Sequence, residues 1–550
     1  MAKYLDQPVR EAVEELTGIS GTSPESVYLS SVWAEQREAY GSMKAWYDGD
    51  EWQRVIENQR DSVTGESSLY WPLQLNPIAK VCRVHRAVML GMLSDTLDEP
   101  PVTTTVTRTG LSTAQREQAA KLESFINSLW KTSNAHSILY EAMLLEQIYG
   151  GHVFRVHWDP TNKALPYRLC IQSMKNPGWF FAKAVNPMND WDLIEAYVGY
   201  YIPADVAKAT YGISAGSKDK VLYMEHWTKD RFRFTVDGQV PTLELNGEEY
   251  PLDQENTWGI IPIVYIPHER DGSYLGRSVV DGNSSLVGLA KELNARMADK
   301  GEILQDARSL PWIKNARQTG GLSTRGVMLR GRNVEFIDLG DATRIPGAAE
   351  PEAGIMEPKG LPETVASFTD EVEHWIQQQG DVAAPAVGDD DVSGGRITGP
   401  VTAYRMWPTM QHTMTERAMF SDGMRQIARI AIAIVLDKQK DKDGGFDAFG
   451  AMNPGLTEEM QLFGLGTSWR PMIPIEETQE GEMLNDQLRA GGISLLTYLQ
   501  RRGVADPEAE ADRIWADIER TKEIEQKFAP KPSPQEANNA GQESVREKDS

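Results

Sequence analysis

The chain has 550 residues and carries 80 Asp+Glu against 56 Lys+Arg, a net charge of -24. Its surface as a whole therefore repels phosphate, which excludes tight whole-surface DNA binding driven by counterion release. An apolar share of 40% in 61.4 kDa allows several subdomains with sizeable cores, and two cysteines without Cys-x-x-Cys spacing (Cys82 and Cys170) point to a reducing compartment and away from disulfides or zinc.

The N-terminal MAKYLDQPVREAVEELTG is charged throughout, and nowhere do about 18 apolar residues run together, so neither a secretion signal nor a membrane span is expected. Ser30 to Tyr47 places Val32, Trp33, Tyr40, Met43, Trp46 and Tyr47 at mostly helical spacing before the Asp48-Gly-Asp50 turn. Asn76 to Ser94 reads as a second helix with Ile78, Val81, Cys82, His85, Val88 and Met89 in one stripe, and core packing is the expectation for both sets. Residues 99–110 alternate and suit a strand; a helix pair, Ser112 to Trp130 and Asn134 to Tyr149, then stops at Gly150-Gly151.

From Gly151 to Ile266 short alternating runs separated by Asp-Pro, Asn-Pro, Asp-Gly and Asn-Gly turns predict strands, an α+β region. His152 and His157 are an odd number of residues apart and fall on opposite strand faces, so they make a poor metal pair and read as two half-exposed histidines.

A helix is expected from about Ser278 to Arg308, some 45 Å long at ~1.5 Å per residue. Leu286, Leu289, Leu293, Met297, Ile303 and Leu304 form its stripe among charges of both signs, and its length suggests packing against further copies of the chain. Gly282, Gly288 and Gly301 weaken it, so its start could come later. Residues 309–355 read as a small β excursion. After Pro362 a second helix carries Val365, Phe368, Val372, Trp375 and Ile376, so two rods bracket a β knob. The Gly-rich stretch 383–400 with Asp389, Asp390 and Asp391 is an exposed loop. It leads into a methionine-rich helix from about Val401 to Leu436, expected to bend at Pro408.

This order of elements resembles the portal proteins of tailed bacteriophages. The resemblance is carried by the Trp46-Tyr-Asp-Gly-Asp50 turn, the Asn76-to-Pro101 segment, Tyr149-Gly-Gly-His-Val-Phe-Arg-Val-His-Trp-Asp-Pro160, and Pro262-Ile-Val-Tyr-Ile-Pro-His-Glu-Arg270 with the helix after it. It implies a mainly α, α+β portal fold that forms rings. The wing would be 1–277, stem helices 278–308 and 361–382, the clip 309–360, the tunnel loop 383–400 with Gly394 and Gly395, a kinked helix and wing return 401–474, the crown 475–528, and a disordered polar tail 529–550. The three consecutive aspartates depart from a positively charged DNA grip at the tunnel loop.

The resemblance further implies a dodecameric homo-oligomer at one vertex of an icosahedral head. Double-stranded DNA would pass along its axis in packaging and ejection, with the large terminase subunit and then a head-tail adaptor docking on the clip. The wing would touch major capsid or scaffold protein, with assembly in the host cytoplasm and residence in the virion. An acidic wall guides a polyanion without holding it. Lys291, Arg296, Lys300 and Arg308 on the first stem helix, and Arg396 in the loop, are candidate phosphate contacts. The alternative for the stem cations is pairing with Glu292, Asp299 or Glu302. No Gly-x-x-x-x-Gly-Lys-Ser/Thr run is present, and no catalytic, cofactor or metal group is expected. The competing readings are another phage head-tail component, or a metal-dependent nuclease built on Asp389, Asp390 and Asp391 or on Asp190 and Asp192, for which a flexible Gly-rich loop makes a poor ligand cage.

Overall fold

The computed structural model describes residues 24–52, 74–91, 100–160, 162–214, 216–245, 248–270, 272, 274–280, 285–306, 310–314, 327–329, 332–334, 352–356, 363–387, 399–441, 445–472, 474–501, 504 and 507–528. The expectations for Arg308, for Asp389, Asp390, Asp391, Gly394, Gly395 and Arg396, and for the tail 529–550 lie outside the described residues.

Helices α1 (Pro24–Tyr28), α2 (Ser31–Asp48) and α3 (Pro77–Leu90) come first. The α3 start is fixed by Pro77 in the first turn and by the Asn76 side chain, which accepts from the Ala79 N–H. Its end at Leu90 is four residues short of the expectation. Strand β1 (Val102–Val106) leads to α4 (Thr113–Thr132), which opens on a Ser112/Gln115 capping box, and α5 (Ala135–Tyr149). Gly150 ends α5 at φ +79, and a Cβ there would meet the Gly276 carbonyl oxygen at 2.4 Å, so both the turn and the close approach require glycine.

The α+β expectation for Gly151 to Ile266 is met by two larger antiparallel sheets and a two-stranded hairpin sheet, β8 with β9. Their strands are β2 (Gly151–Trp158), β3 (Leu169–Ser173), β4 (Phe180–Asn186), β5 (Asn189–Pro203), β6 (Lys220–Thr228), β7 (Arg231–Val236), the hairpin β8 (Thr242–Leu245) and β9 (Glu248–Pro251), β10 (Asp253–Glu255) and β11 (Ile263–Pro267). Helix α6 (Ala204–Tyr211) interrupts them after β5. One sheet has order β11-β2-β3 and the other β10-β7-β6-β5-β4. The runs that read as strands in the sequence, 152–160, 196–203, 221–228, 231–238 and 260–267, fall on β2, β5, β6, β7 and β11, whereas β3, β4 and β8 to β10 were not expected.

The strand period places the core. On β2 and β11, Val153, Ile263 and Tyr265 join the five-stranded sheet's Phe180, Val198 and Trp227. Phe154, Val156, Val264 and Ile266 face the opposite way, onto α4 and α5. The Ile-Val-Tyr-Ile run is apolar throughout because both faces of β11 are covered. On the far side of the larger sheet, the fully buried Trp33 of α2 stacks on Phe181 and donates from its indole N–H to the Gly178 carbonyl at 2.9 Å.

The half-exposed reading of the β2 histidines is corrected at one position. His152 is fully buried, with Nε2 2.8 Å from the Ser173 hydroxyl, because the face of β2 it occupies is roofed over. Burial pulls its pKa down to about 3.

The first rod is α7 (Ser285–Asp306). Ser278 does not start it. The Ser278 hydroxyl donates to the Ile148 carbonyl and accepts from the Val280 N–H, which holds residues 278–280 as a turn against the end of α5. Strands β12 (Leu310–Lys314), β13 (Val327–Leu329), β14 (Arg332–Val334) and β15 (Glu352–Met356) follow, with β12 paired to β15 and β13 to β14, then α8 (Glu363–Gln379). The two rods run antiparallel: the Ser285 hydroxyl at the start of α7 meets Gln379 Oε1 at the end of α8 at 2.8 Å.

Helix α9 (Gly399–Lys440) spans 42 residues, about 63 Å at ~1.5 Å per residue, and is continuous through Pro408. It crosses β11 at Gly423, where a Cβ would lie 2.3 Å from Ile266 Cδ1. Strand β16 (Leu465–Trp469) returns to pair with β1, and α10 (Pro474–Arg489), α11 (Leu495–Arg501) and α12 (Pro507–Phe528) complete the chain. Helices α10 and α11 are separated at Gly491, which adopts φ +70. No described helix is long and apolar enough to cross a membrane.

Candidate assembly surfaces and a buried polar site

On the rods, Leu286, Val287, Ala290 and Leu293 of α7 are buried with Ile78, Val81 and Cys82 of α3 and Val372 and Ile376 of α8, while Leu289, Met297 and Phe368 pack partly buried at the rim. Leu286 and Leu293 of the expected stripe thus find cover within the chain, Leu289 and Met297 only in part, and the side chains of Ile303 and Leu304 lie outside the described residues. Val365 lies in α8, whereas Trp375 is 37% exposed and touches Phe368 edge to face.

The stem cations are partly committed. Arg296 pairs with Glu292 at 2.7 Å and Asp299 at 2.9 Å on its own helix, the pairing alternative named above. Lys291 is exposed with its ammonium 4.7 Å over the Trp46 ring, and Lys300 is half-buried. Neither Asp190 nor Asp192 is poised as a metal ligand. Asp190 pairs with Arg270, and Asp192 with Lys229 at 2.7 Å, whose hydrogen bond, ahead of that from Asn186, lowers the Asp192 pKa.

The unpartnered apolar surface lies on α9. Tyr404 is 80% exposed, Trp407 56% and Met414 53%, and spacings of three and seven residues put them on one helical face. Met406 and Met410, the latter next to Trp407 and Met414 along the helix, are buried with Val88 of α3.

One feature was not read from the sequence. Where α3, α5, α9 and the residue after β11 meet, three histidines surround one carboxylate. The Glu416 Oε1 atom has His412 Nε2 at 3.0 Å, His268 Nδ1 at 3.2 Å and His85 Nδ1 at 3.8 Å. It also accepts from Gln147 Nε2 at 2.8 Å. The His85, His412 and Glu416 ligand atoms all lie within 4.8 Å of one another. His85, His268, Glu416, Gln147 and the neighbouring Glu146 are buried, while His412 is about a quarter exposed.

The three nitrogens are close to the carboxylate, yet none has a hydrogen-bond partner; Glu416 Oε2, Gln147 Oε1 and both Glu146 oxygens are likewise without one. Burial pulls the pKa of His85 down and that of His268 down to about 4. Burial would also lower His412 and raise Glu416, but their attraction wins. His412 is raised by Glu416, and Glu416 is held at about 2 by His268, His412 and His85. Burial, then the Glu416 charge, pushes the Glu146 carboxyl well above the usual carboxylate range. The signal was present as His412-x-x-x-Glu416, a one-turn pair on α9. Its partners sit far away in sequence, and His85 was absorbed into an apolar stripe.

Residues 350–523 match the family model described as phage portal protein, SPP1 Gp6-like. The match supports a phage portal protein. It runs from the last strand of the β knob through α8, α9 and most of the C-terminal helices, and the portal family is structural rather than enzymatic. No curated protein matched the chain.

Proposed function

We propose that this chain is the subunit of a portal ring, a dodecamer at one vertex of a phage head that serves as channel for double-stranded DNA. The observation that carries the reading is the portal match over residues 350–523. Helices α7 and α8 would be the stem, residues 309–360 the clip and α10 to α12 the crown. The large terminase subunit and a head-tail adaptor would dock on the clip in turn, and capsid or scaffold protein would meet the wing. The ATP-driven motor belongs to another protein, and the subunit is a component of the virion assembled in the host cytoplasm.

Two physical features support this reading. The Tyr404, Trp407 and Met414 face is bare in one copy, and in a ring each bare face meets its neighbour by a head-to-tail contact that closes on itself. The net charge of -24 keeps DNA moving past the wall. With Arg296 already paired, Lys291 and Lys300 are, among the described residues, the stem cations left to brush phosphate non-specifically. Electron microscopy of the purified chain tests the reading: closed rings with an axial hole are expected, and a field of monomers at high concentration contradicts it.

A further inference from the structure

We propose that His85, His412 and Glu416 form a binding site for one divalent transition-metal ion of the zinc type, which clasps the long helix α9 to α3, with His268 facing the same carboxylate from the residue following β11. The donor set comes first. Two imidazoles and one carboxylate, with water in the fourth position, are a set that zinc and its first-row neighbours take in four-coordinate sites, and they suit calcium or magnesium poorly.

The spacing agrees. Bonds of about 2.0–2.1 Å at tetrahedral angles leave donor atoms roughly 3.3–3.4 Å apart. The separations from Glu416 Oε1 to His412 Nε2 and His85 Nδ1, 3.0 and 3.8 Å, bracket that edge.

The unmade hydrogen bonds give an independent reason. Each buried polar atom left unpaired costs about 1–3 kcal/mol, and here three ring nitrogens converge on one oxygen without bonding to it. A cation held between His85, His412 and Glu416 satisfies two of those lone pairs together.

The outer partners orient the ligands. His85 Nε2 lies 2.6 Å from the Gly380 carbonyl, which can only accept, so the proton sits on Nε2 and the Nδ1 lone pair faces inward. Gln147 donates to the Glu416 carboxylate, and the Asp381 carboxylate stands 3.6 Å from His412 Nδ1. An ion can enter on the partly exposed His412 side. Through His85 and Gly380 it would also brace the turn that ends the second rod. The proposal rests on these residues and stands apart from the ring reading.

The test uses the full chain without a histidine tag, with Zn2+ alone and Co2+ alone as probes. Elemental analysis and calorimetry should find about one Zn2+ per chain, and Co2+ should give the visible ligand-field bands of a tetrahedral site. The affinity should fall about 100-fold or more in His412→Ala and in Glu416→Gln, and stay unchanged in His374→Ala, which alters an exposed histidine on α8. Equal uptake by His412→Ala and the unsubstituted chain overturns the proposal. So does an unsubstituted chain that takes up no Zn2+ and shows no tetrahedral Co2+ bands, a result that does not depend on any variant folding.

Discussion

His412 Nε2 lies 3.0 Å from Glu416 Oε1, one turn apart on α9, without the alignment of a hydrogen bond. The pair is the centre of a junction to which α3, α5 and the residue after β11 each bring a buried polar group. Removing its one charged acceptor therefore strands several partners at once. Glu416→Ala should lose about 3–5 kcal/mol in urea unfolding, well beyond the cost of shortening an exposed glutamate.

The two sheets are joined by a second buried charge pair. Arg155 of β2 contacts Glu225 of β6, and Glu225 also accepts from the Tyr223 hydroxyl and the Trp227 indole N–H, each at 2.8 Å. Glu225→Leu leaves the guanidinium unpaired in the core and should cost about 3–5 kcal/mol, whereas Arg155→Met with Glu225→Leu should recover much of it. A double-mutant cycle by chemical denaturation checks this.

His152 sets a pH dependence. Its folded pKa of about 3 lies below the ordinary value of 6.5, so the unfolded chain takes up the proton first as pH falls. The contribution is whole above about 6.5 and is lost progressively from there to about 3, with a ceiling of about 5 kcal/mol. His152→Gln should flatten the stability profile across that window, as read by denaturation at several pH values.

Where α9 crosses β11 there is no room for a side chain. Gly423→Ala would put its Cβ 2.3 Å from Ile266 Cδ1 and 2.4 Å from Cγ1. It should destabilise by about 1–3 kcal/mol despite the better helix propensity of alanine. Ile266→Ala in the same chain should relieve part of that clash, seen as a loss smaller than the sum of the two single changes.

How much of this was legible follows from how locally each feature is encoded. The β11 run Ile263-Val-Tyr-Ile266 stands out because both its faces are buried, and the helix stop at Gly150 because the turn needs a positive φ. The strand at Phe180–Asn186 did not show: beyond Phe181 its side chains are only half-buried, so no clean alternation marks it. The rods were visible by their stripes, but their cover was not, since Ile78 and Val81 come some two hundred residues earlier. The histidine junction was the least legible. Its members derive their meaning from the meeting of four segments, and a histidine in an apolar stripe reads as core until its neighbours are known.

The bare face of α9 separates folding from assembly. Trp407→Ser removes an exposed ring and should change the stability of the folded subunit by no more than about 0.5 kcal/mol, while weakening association between copies. Native mass spectrometry of the unsubstituted and Trp407→Ser chains, read side by side, tests the ring most directly. The account predicts one closed multiple of 61.4 kDa for the unsubstituted chain, collapsing to smaller species in the variant. A single-subunit mass for the unsubstituted chain at every concentration would contradict it.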